Sequence, residues 1–257
     1  MADKSLTLFD RHRDGLLAAL PSHVDADRFY HIALSTANML PADVSESSIL
    51  MFVYGCARLG LVPDPVLGHV YPVPFKGKVT LIPGYRGYIE LARRSGRIGS
   101  IHVDLVYDGE PFRQWVTRDG AQIEHEPGME RPSDPRKGCV AAYCLADVKG
   151  SWPQITVMPT NAIDKLAHGN IWKEHWGEMA KKSVVRRASK LWPLTAELAQ
   201  AVAWDEAADR NEQRLPMPGG VQAEDAQPTL SLTAPEDNGE ITDDEQAEIE
   251  AEERETY

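Results

Sequence analysis

No stretch of the 257 residues approaches the ~20 consecutive apolar positions that a membrane-spanning helix requires. The polar opening MADKSLTLFDRHRD has neither the basic n-region nor the apolar h-region of a secretory leader. A cytoplasmic protein with no membrane partner is therefore expected. Cysteine is scarce: Cys56, Cys139 and Cys144 are odd in number and form no CxxC pair, which argues against a disulfide framework and a zinc site and leaves them as packing thiols. No GxxxxGK(S/T) phosphate loop, GxSxG elbow or HExxH helix is present, and the eight histidines, with His102 and His125 in strand-like segments, show no metal-ligand spacing. Nucleotide-driven work, serine hydrolysis and zinc proteolysis thus lack their usual residues.

What is present is one core and an uneven distribution of charge. At 42% hydrophobic content the chain can bury a single core of ordinary size. The formal charge of −12 comes almost wholly from the end: residues 206–257 hold 16 acidic side chains against three arginines, leaving residues 1–205 with 24 basic and 23 acidic. A body near neutrality can still bind phosphate if its cations gather on one surface. After about residue 210 hydrophobic periodicity stops, and Pro216, Pro218, Gly219 and Gly220 break the chain. Residues 1–210 are read as the folded domain, and residues 211–257 as an acidic tail too poor in apolar side chains to order itself.

The basic side chains concentrate in WGEMAKKSVVRRASKLWP, residues 176–193, where five cations face one acid, Glu178. A period of about 3.6 residues places Ala180, Val184, Val185, Ala188, Leu191 and Trp192 on one arc, and Lys182, Arg186 and Lys190 opposite it, with Arg187, Ser183 and Ser189 nearby. Lys181 falls inside the apolar arc. Successive charges on the cationic face rise by ~6 Å, against ~3.4 Å per phosphate along one strand of B-form DNA, so the face matches alternate phosphates or a stretched strand. A solvated basic face is the plainer alternative, but such a face ordinarily carries acids at i±4 and this one has almost none. On the phosphate reading, Lys182→Ala with Arg186→Ala abolishes strand binding and leaves thermal stability nearly unchanged.

Taken in order, residues 9–19, 25–39 and 45–59 pattern as helices, the last closed by Gly60. HVYPVPF and KVTLIPG pattern as a hairpin whose Pro72 and Pro74 mark an edge strand. A second basic helix, YRGYIELARRSG, carries Arg86, Arg93 and Arg94, with Arg97 just past it and Tyr85 at its start; Glu90 can neutralise part of this patch. Strands are expected over residues 98–107, 112–117, 122–125, 140–148 and 152–158, then a short helix over 160–166 and a closing helix over 194–205. Trp172 and Trp176 at i, i+4 are better explained as core than as a base-stacking platform. The fold class expected is α+β: a small antiparallel sheet of hairpins flanked by helices, with a disordered acidic C-terminal tail. Asp104, Asp108, Glu110, Glu124 and Glu126 collect near one another in sequence, as a two-metal nuclease would need; turn and strand-edge positions explain most of them. A third possibility is a non-catalytic assembly module that uses its basic face for an acidic protein.

GLVPDPVLGHVYPVPF, TLIPGYRGYIELARRSGRIGSI and EMAKKSVVRRASKLWPL resemble the RecT family of phage single-strand annealing proteins, over roughly residues 27–205. The resemblance implies a DNA-binding protein of recombination, not an enzyme, which uses no ATP and no resident cofactor, with Mg²⁺ bearing at most on annealing. It implies that the protein holds single-stranded DNA, pairs it into duplex and assembles as a homo-oligomeric ring or helical filament. Its expected company is a 5′-to-3′ exonuclease and a host single-strand binding protein, in a bacterial or phage-infected cell. The family's basic positions fall here on Lys181, Lys182, Arg186 and Lys190, and its GYRG arginine on Arg86. Ser183 stands where threonine is usual, and Trp192 replaces a smaller apolar residue.

Overall fold

A computed structural model describes residues 9–118 and 120–217. Three helices lead: α1 (Arg13–Ala18), α2 (Ala26–Asn38) and α3 (Glu46–Leu59). Asp25 caps α2 by accepting from the Arg28 N–H at 2.7 Å, and Ser45 caps α3 through the Ser48 N–H. Gly60, at φ 61°, ends α3 in the left-handed conformation that the sequence implies.

A hairpin of β1 (Val70–Phe75) and β2 (Lys78–Pro83) follows, then α4 (Tyr85–Arg94). β3 (Ile98–Tyr107), β6 (Cys139–Val148) and β7 (Gln154–Pro159) form an antiparallel sheet in the order β3-β6-β7, while β4 (Phe112–Thr117) and β5 (Gly120–His125) make a separate hairpin. α5 (Thr160–Asp164), α6 (Asn170–Glu174), α7 (Trp176–Ser189) and α8 (Ala196–Asp209) complete the body. The α+β class with small antiparallel sheets is borne out. The turn of helix at α6 has no counterpart in the sequence pattern.

α7 is the central element. It packs on the sheet and on α4, and β6 offers it Ala142, Cys144 and Ala146, each 0% exposed, small enough for close approach. Alternate residues of β6 turn the other way: Ala141 and Tyr143 form a second cluster with Val106, covered by Phe112 and Ile123 of the β4–β5 hairpin. The helix is therefore enclosed on most sides. Ala180, Val184, Val185, Ala188 and Trp192 are buried as expected, but Leu191, assigned to the same arc, is 66% exposed because α7 ends at Ser189 and the chain turns. Trp172 and Trp176 are core. All three thiols are buried and unpaired, and burial pushes Cys144 up to about 12.

The GYRG segment has a steric origin. The chain at Gly68–His69 crosses the first turn of α4 so closely that a Cβ on Gly84 would lie 2.3 Å from the Gly68 carbonyl oxygen, and one on Gly87 2.0 Å from that of His69. The Gly84 N–H donates to the same His69 oxygen at 3.0 Å. Both glycines thus set how deeply the hairpin and α4 interlock, which fixes where Tyr85 and Arg86 stand.

The folded body continues a few residues past 210. Residues 211–217 lie on the body: Gln213 accepts from the Leu81 N–H at 2.7 Å and donates to the Leu81 carbonyl at 2.8 Å, so its amide stands in for a strand beside β2, and Leu215 is 7% exposed. The rest of the expected tail, residues 218–257, lies outside the described residues, as does Asp119. Gly87→Ala should overpack this crossing and destabilise the protein by roughly 1–3 kcal/mol; a melting temperature within a degree of the parent's would refute the steric account.

Candidate nucleic-acid interface

The face expected to be free and cationic is spent on the fold. Asp205 of α8 is 0% exposed and accepts from three side chains: Lys182 Nζ at 2.6 Å, Arg186 Nη1 at 2.9 Å and the Tyr88 hydroxyl at 2.9 Å. Arg186 also donates to Asp209 at 2.6 Å, and Lys190 pairs with Glu206. The side chain of Lys182 is only 5% exposed. Burial alone would lower the Arg186 pKa, but Asp205 and Asp209 raise it above its ordinary value; the buried Tyr88 hydroxyl is raised by burial and by Asp205. The acids that α7 lacks at i±4 come from the next helix. This corrects the expected free face of Lys182, Arg186 and Lys190: the first two hold α4, α7 and α8 together.

Other candidates divide in the same way. Ser183 is buried and donates to the Met179 carbonyl one turn back, and Ser189 donates to that of Arg186, so both hydroxyls are bonded within their own helix. Arg94 caps α3, donating to the Leu59 and Gly60 carbonyls at 2.7 and 2.6 Å and to Glu90 at 3.1 Å. Arg93, Arg97 and Arg187 are exposed, and among the described residues their side chains meet no acid.

The carboxylates from Asp104 to Glu126 do not gather into a ligand set: among the described residues no group of three or more His, Cys, Asp or Glu could hold a metal ion. Arg131 takes Asp104 at 2.9 Å and stacks 4.9 Å from the Tyr107 ring, and Glu110 is engaged by His125 at 3.0 Å and by the Tyr107 and Gly128 N–H groups. The nuclease reading gains no support from this geometry.

What remains open lies where α4 begins beside the first half of α7. Arg86 is exposed, with its guanidinium carbon 5.8 Å from the Tyr85 ring centroid and Nε 3.4 Å from the Tyr85 hydroxyl. Lys181, reaching from α7, places Nζ 5.8 Å from the same centroid and has Glu178, itself 55% exposed, at 3.6 Å. Neither cation is committed to a buried acid. Tyr85, which both cations approach, lines a trough of about 380 Å³ with Tyr71, Pro72, Pro74, Ile82 and Met179 among others, and the α7 cation on that lining is the buried Lys182; Lys181 lines a neighbouring cavity with Tyr107 and Arg131. The sequence points to Arg86, Lys181 and Tyr85 but its basic motifs pass over Tyr71; the alternation of Tyr71, Val73 and Phe75 along a strand is the signal that could have found it.

The family model described as the RecT family matches residues 27–218. The chain is 36% identical to Protein RecT of Escherichia coli (strain K12) over 210 residues, 76% of each chain. It is 25% identical over 219 residues to the uncharacterised protein YqaK of Bacillus subtilis (strain 168), covering 83% of this chain and 69% of that protein.

Removing one partner of a buried pair strands the other, so Lys182→Ala should cost about 3–5 kcal/mol of stability, seen as a marked fall in melting temperature; a change within error would place the pair outside the fold's energetics. Glu110 supplies a pH dependence. Burial would raise its carboxyl, but the Tyr107 and Gly128 N–H groups, His125 and Arg131 bring it below the ordinary carboxylate value. Its stabilisation is present above the unfolded pKa and is lost as pH falls through the lower folded one. Glu110→Gln should therefore flatten the acid limb of melting temperature against pH; an unchanged limb would contradict this.

Proposed function

Because the chain belongs to the RecT family, whose members are single-strand annealing proteins of DNA recombination, we propose that it holds single-stranded DNA at the Arg86–Tyr85–Lys181 site and pairs it into duplex without ATP. The observation that carries this is the convergence on one tyrosine of two cations from the two motif helices, neither spent on a buried acid. Arg93 and Arg97 continue the exposed charge along and past α4, where Lys149 also approaches, donating to the Gly96 carbonyl at 2.7 Å. Phosphates spaced along a strand meet these cations in turn, and sequence is read by Watson–Crick pairing with the incoming strand, not by side chains.

Annealing needs no covalent step, and the protein is read as a binding protein, not an enzyme. Neutralising phosphates lowers the repulsion between two strands, and a homo-oligomer in a ring or helical filament would multiply weak contacts through effective concentration. A 5′-to-3′ exonuclease to expose the strand, and a host single-strand binding protein to be displaced from it, are the partners this role calls for, in the cytoplasm of the cell. Mg²⁺ would act on the DNA charge. No helix among the described residues is long and apolar enough to cross a membrane.

Arg86→Ala with Lys181→Ala should weaken strand binding and reduce the slope of log affinity against log salt by about 1.4, at ~0.7 for each phosphate of a single strand left without its cation. Melting temperature should hold, since both side chains lie outside the buried network. Complementary oligonucleotides mixed with the parent protein should form duplex faster without ATP, and more slowly with the double variant. An unchanged salt slope would remove these two residues from the phosphate path.

A further inference from the structure

The β1–β2 hairpin has one face turned into the core and one turned away. Val70, Val79 and Leu81 are 1%, 6% and 0% exposed, whereas Tyr71 and Phe75, on the alternate positions, are 41% and 46% exposed. The register sets Tyr71 opposite Ile82 and Phe75 opposite Lys78. Cations bracket this aromatic strip: Arg86 and Lys181 over Tyr85 at its base, and Lys76 at its tip, with Nζ 5.1 Å from the Phe75 centroid. Apolar surface exposed between cations is the composition expected for bases joined by phosphates.

The edge of β1 narrows the choice of occupant. Gln213 and α8 cover β2, so β1 is the outer strand, and two of its alternate positions are Pro72 and Pro74. Proline has no N–H to offer, so a peptide strand added at this edge would forgo those ladder bonds. The trough along that edge is lined by the rings of Tyr71, Pro72, Pro74 and Tyr85 on the hairpin side and by Ile171, His175, Met179 and the buried Lys182 on the side of α6 and α7. Its exposed acid, Glu178, is in contact with Lys181. Flat groups with apolar faces and polar rims fit such a slot.

We propose that this trough and the outer face of the β1–β2 hairpin receive unpaired nucleobases of the bound strand, with Tyr71 as a stacking residue. The strand is then held by its bases as well as its phosphates, and its base edges become available to a partner strand only as they leave the hairpin. The proposal rests on the single-strand reading above and adds to it a dependence on bases that phosphate contacts cannot supply.

The test compares a thymidine oligonucleotide with an abasic oligomer of equal length, which carries the same phosphates. The parent protein should prefer the base-bearing strand by about tenfold, within the ~1–3 kcal/mol that stacking one base on an aromatic ring is worth. Tyr71→Leu should reduce that preference towards unity at an unchanged salt slope, and Tyr71→Phe should keep it. Ile171→Ser, on the opposite wall, should also lower it, and serves if the leucine variant melts early. Equal binding of both strands by the parent, or an undiminished preference in Tyr71→Leu, overturns the proposal while leaving phosphate binding intact. A Tyr71→Leu variant that changes sedimentation but not the preference overturns it too, assigning the face to a second copy of the chain. Failure of the parent to bind either strand would instead overturn the single-strand reading, and this proposal with it.

Discussion

A single carboxylate with no solvent contact organises the body. Asp205 takes a lysine, an arginine and a tyrosine hydroxyl from two helices while standing on a third. An isolated charge in such a place would be prohibitive, and a group with three charge-assisted or hydroxyl donors is tolerated only if the geometry is kept. Together with the one-sided apolar faces of α4 and α7, that requirement sets their rotation about their axes. With the rotations fixed, Tyr88 points inward while Tyr85 and Arg86, at the start of the same helix, reach the surface beside Lys181.

The two helices named by the sequence motifs therefore divide their residues between two tasks. Alternate sides of α4 supply Tyr88 to the network and Arg86 to the surface. Neighbouring residues of α7, Lys181 and Lys182, do the same, one exposed by a quarter and the other enclosed. The glycines of GYRG contribute by letting the hairpin backbone lie against α4, so the aromatic strip of β1 and the paired cations share one border. In a family of single-strand annealing proteins, this places apolar and cationic surface side by side, as a polymer of bases and phosphates requires.

Much of this is legible in the chain. Caps at Asp25, Ser45 and Gly60, the strand periods and the edge prolines mark most elements, because each is a local signal between near neighbours. The character of α7 is not legible in the same way. A helical wheel sorts residues by their own polarity and cannot see an acid 19 or 23 residues further on, which is where Arg186 finds Asp205 and Asp209. The pattern is nonetheless in the sequence: Asp205 and Asp209, with Glu206 between, repeat the four-residue step of Lys182, Arg186 and Lys190. Two such ladders on consecutive helices satisfy each other before they meet a ligand. Lys181, which the wheel sets inside the apolar arc, stands a quarter exposed at the arc's border with Tyr85. The placement of Gln213 and Leu215 on the body escapes composition because a few contacts suffice to dock a short segment ahead of an acidic stretch.

The division of labour between adjacent lysines can be tested without changing a residue. Acylation of native protein by an amine-reactive reagent, read lysine by lysine by mass spectrometry with and without a single strand, reports access to each ammonium directly. Lys181 should be modified in the free protein and protected by the strand, while Lys182 stays unreactive in both. Ready modification of Lys182 in the free protein, with protection on the strand, would contradict the account and return the phosphate site to the face that α8 now covers.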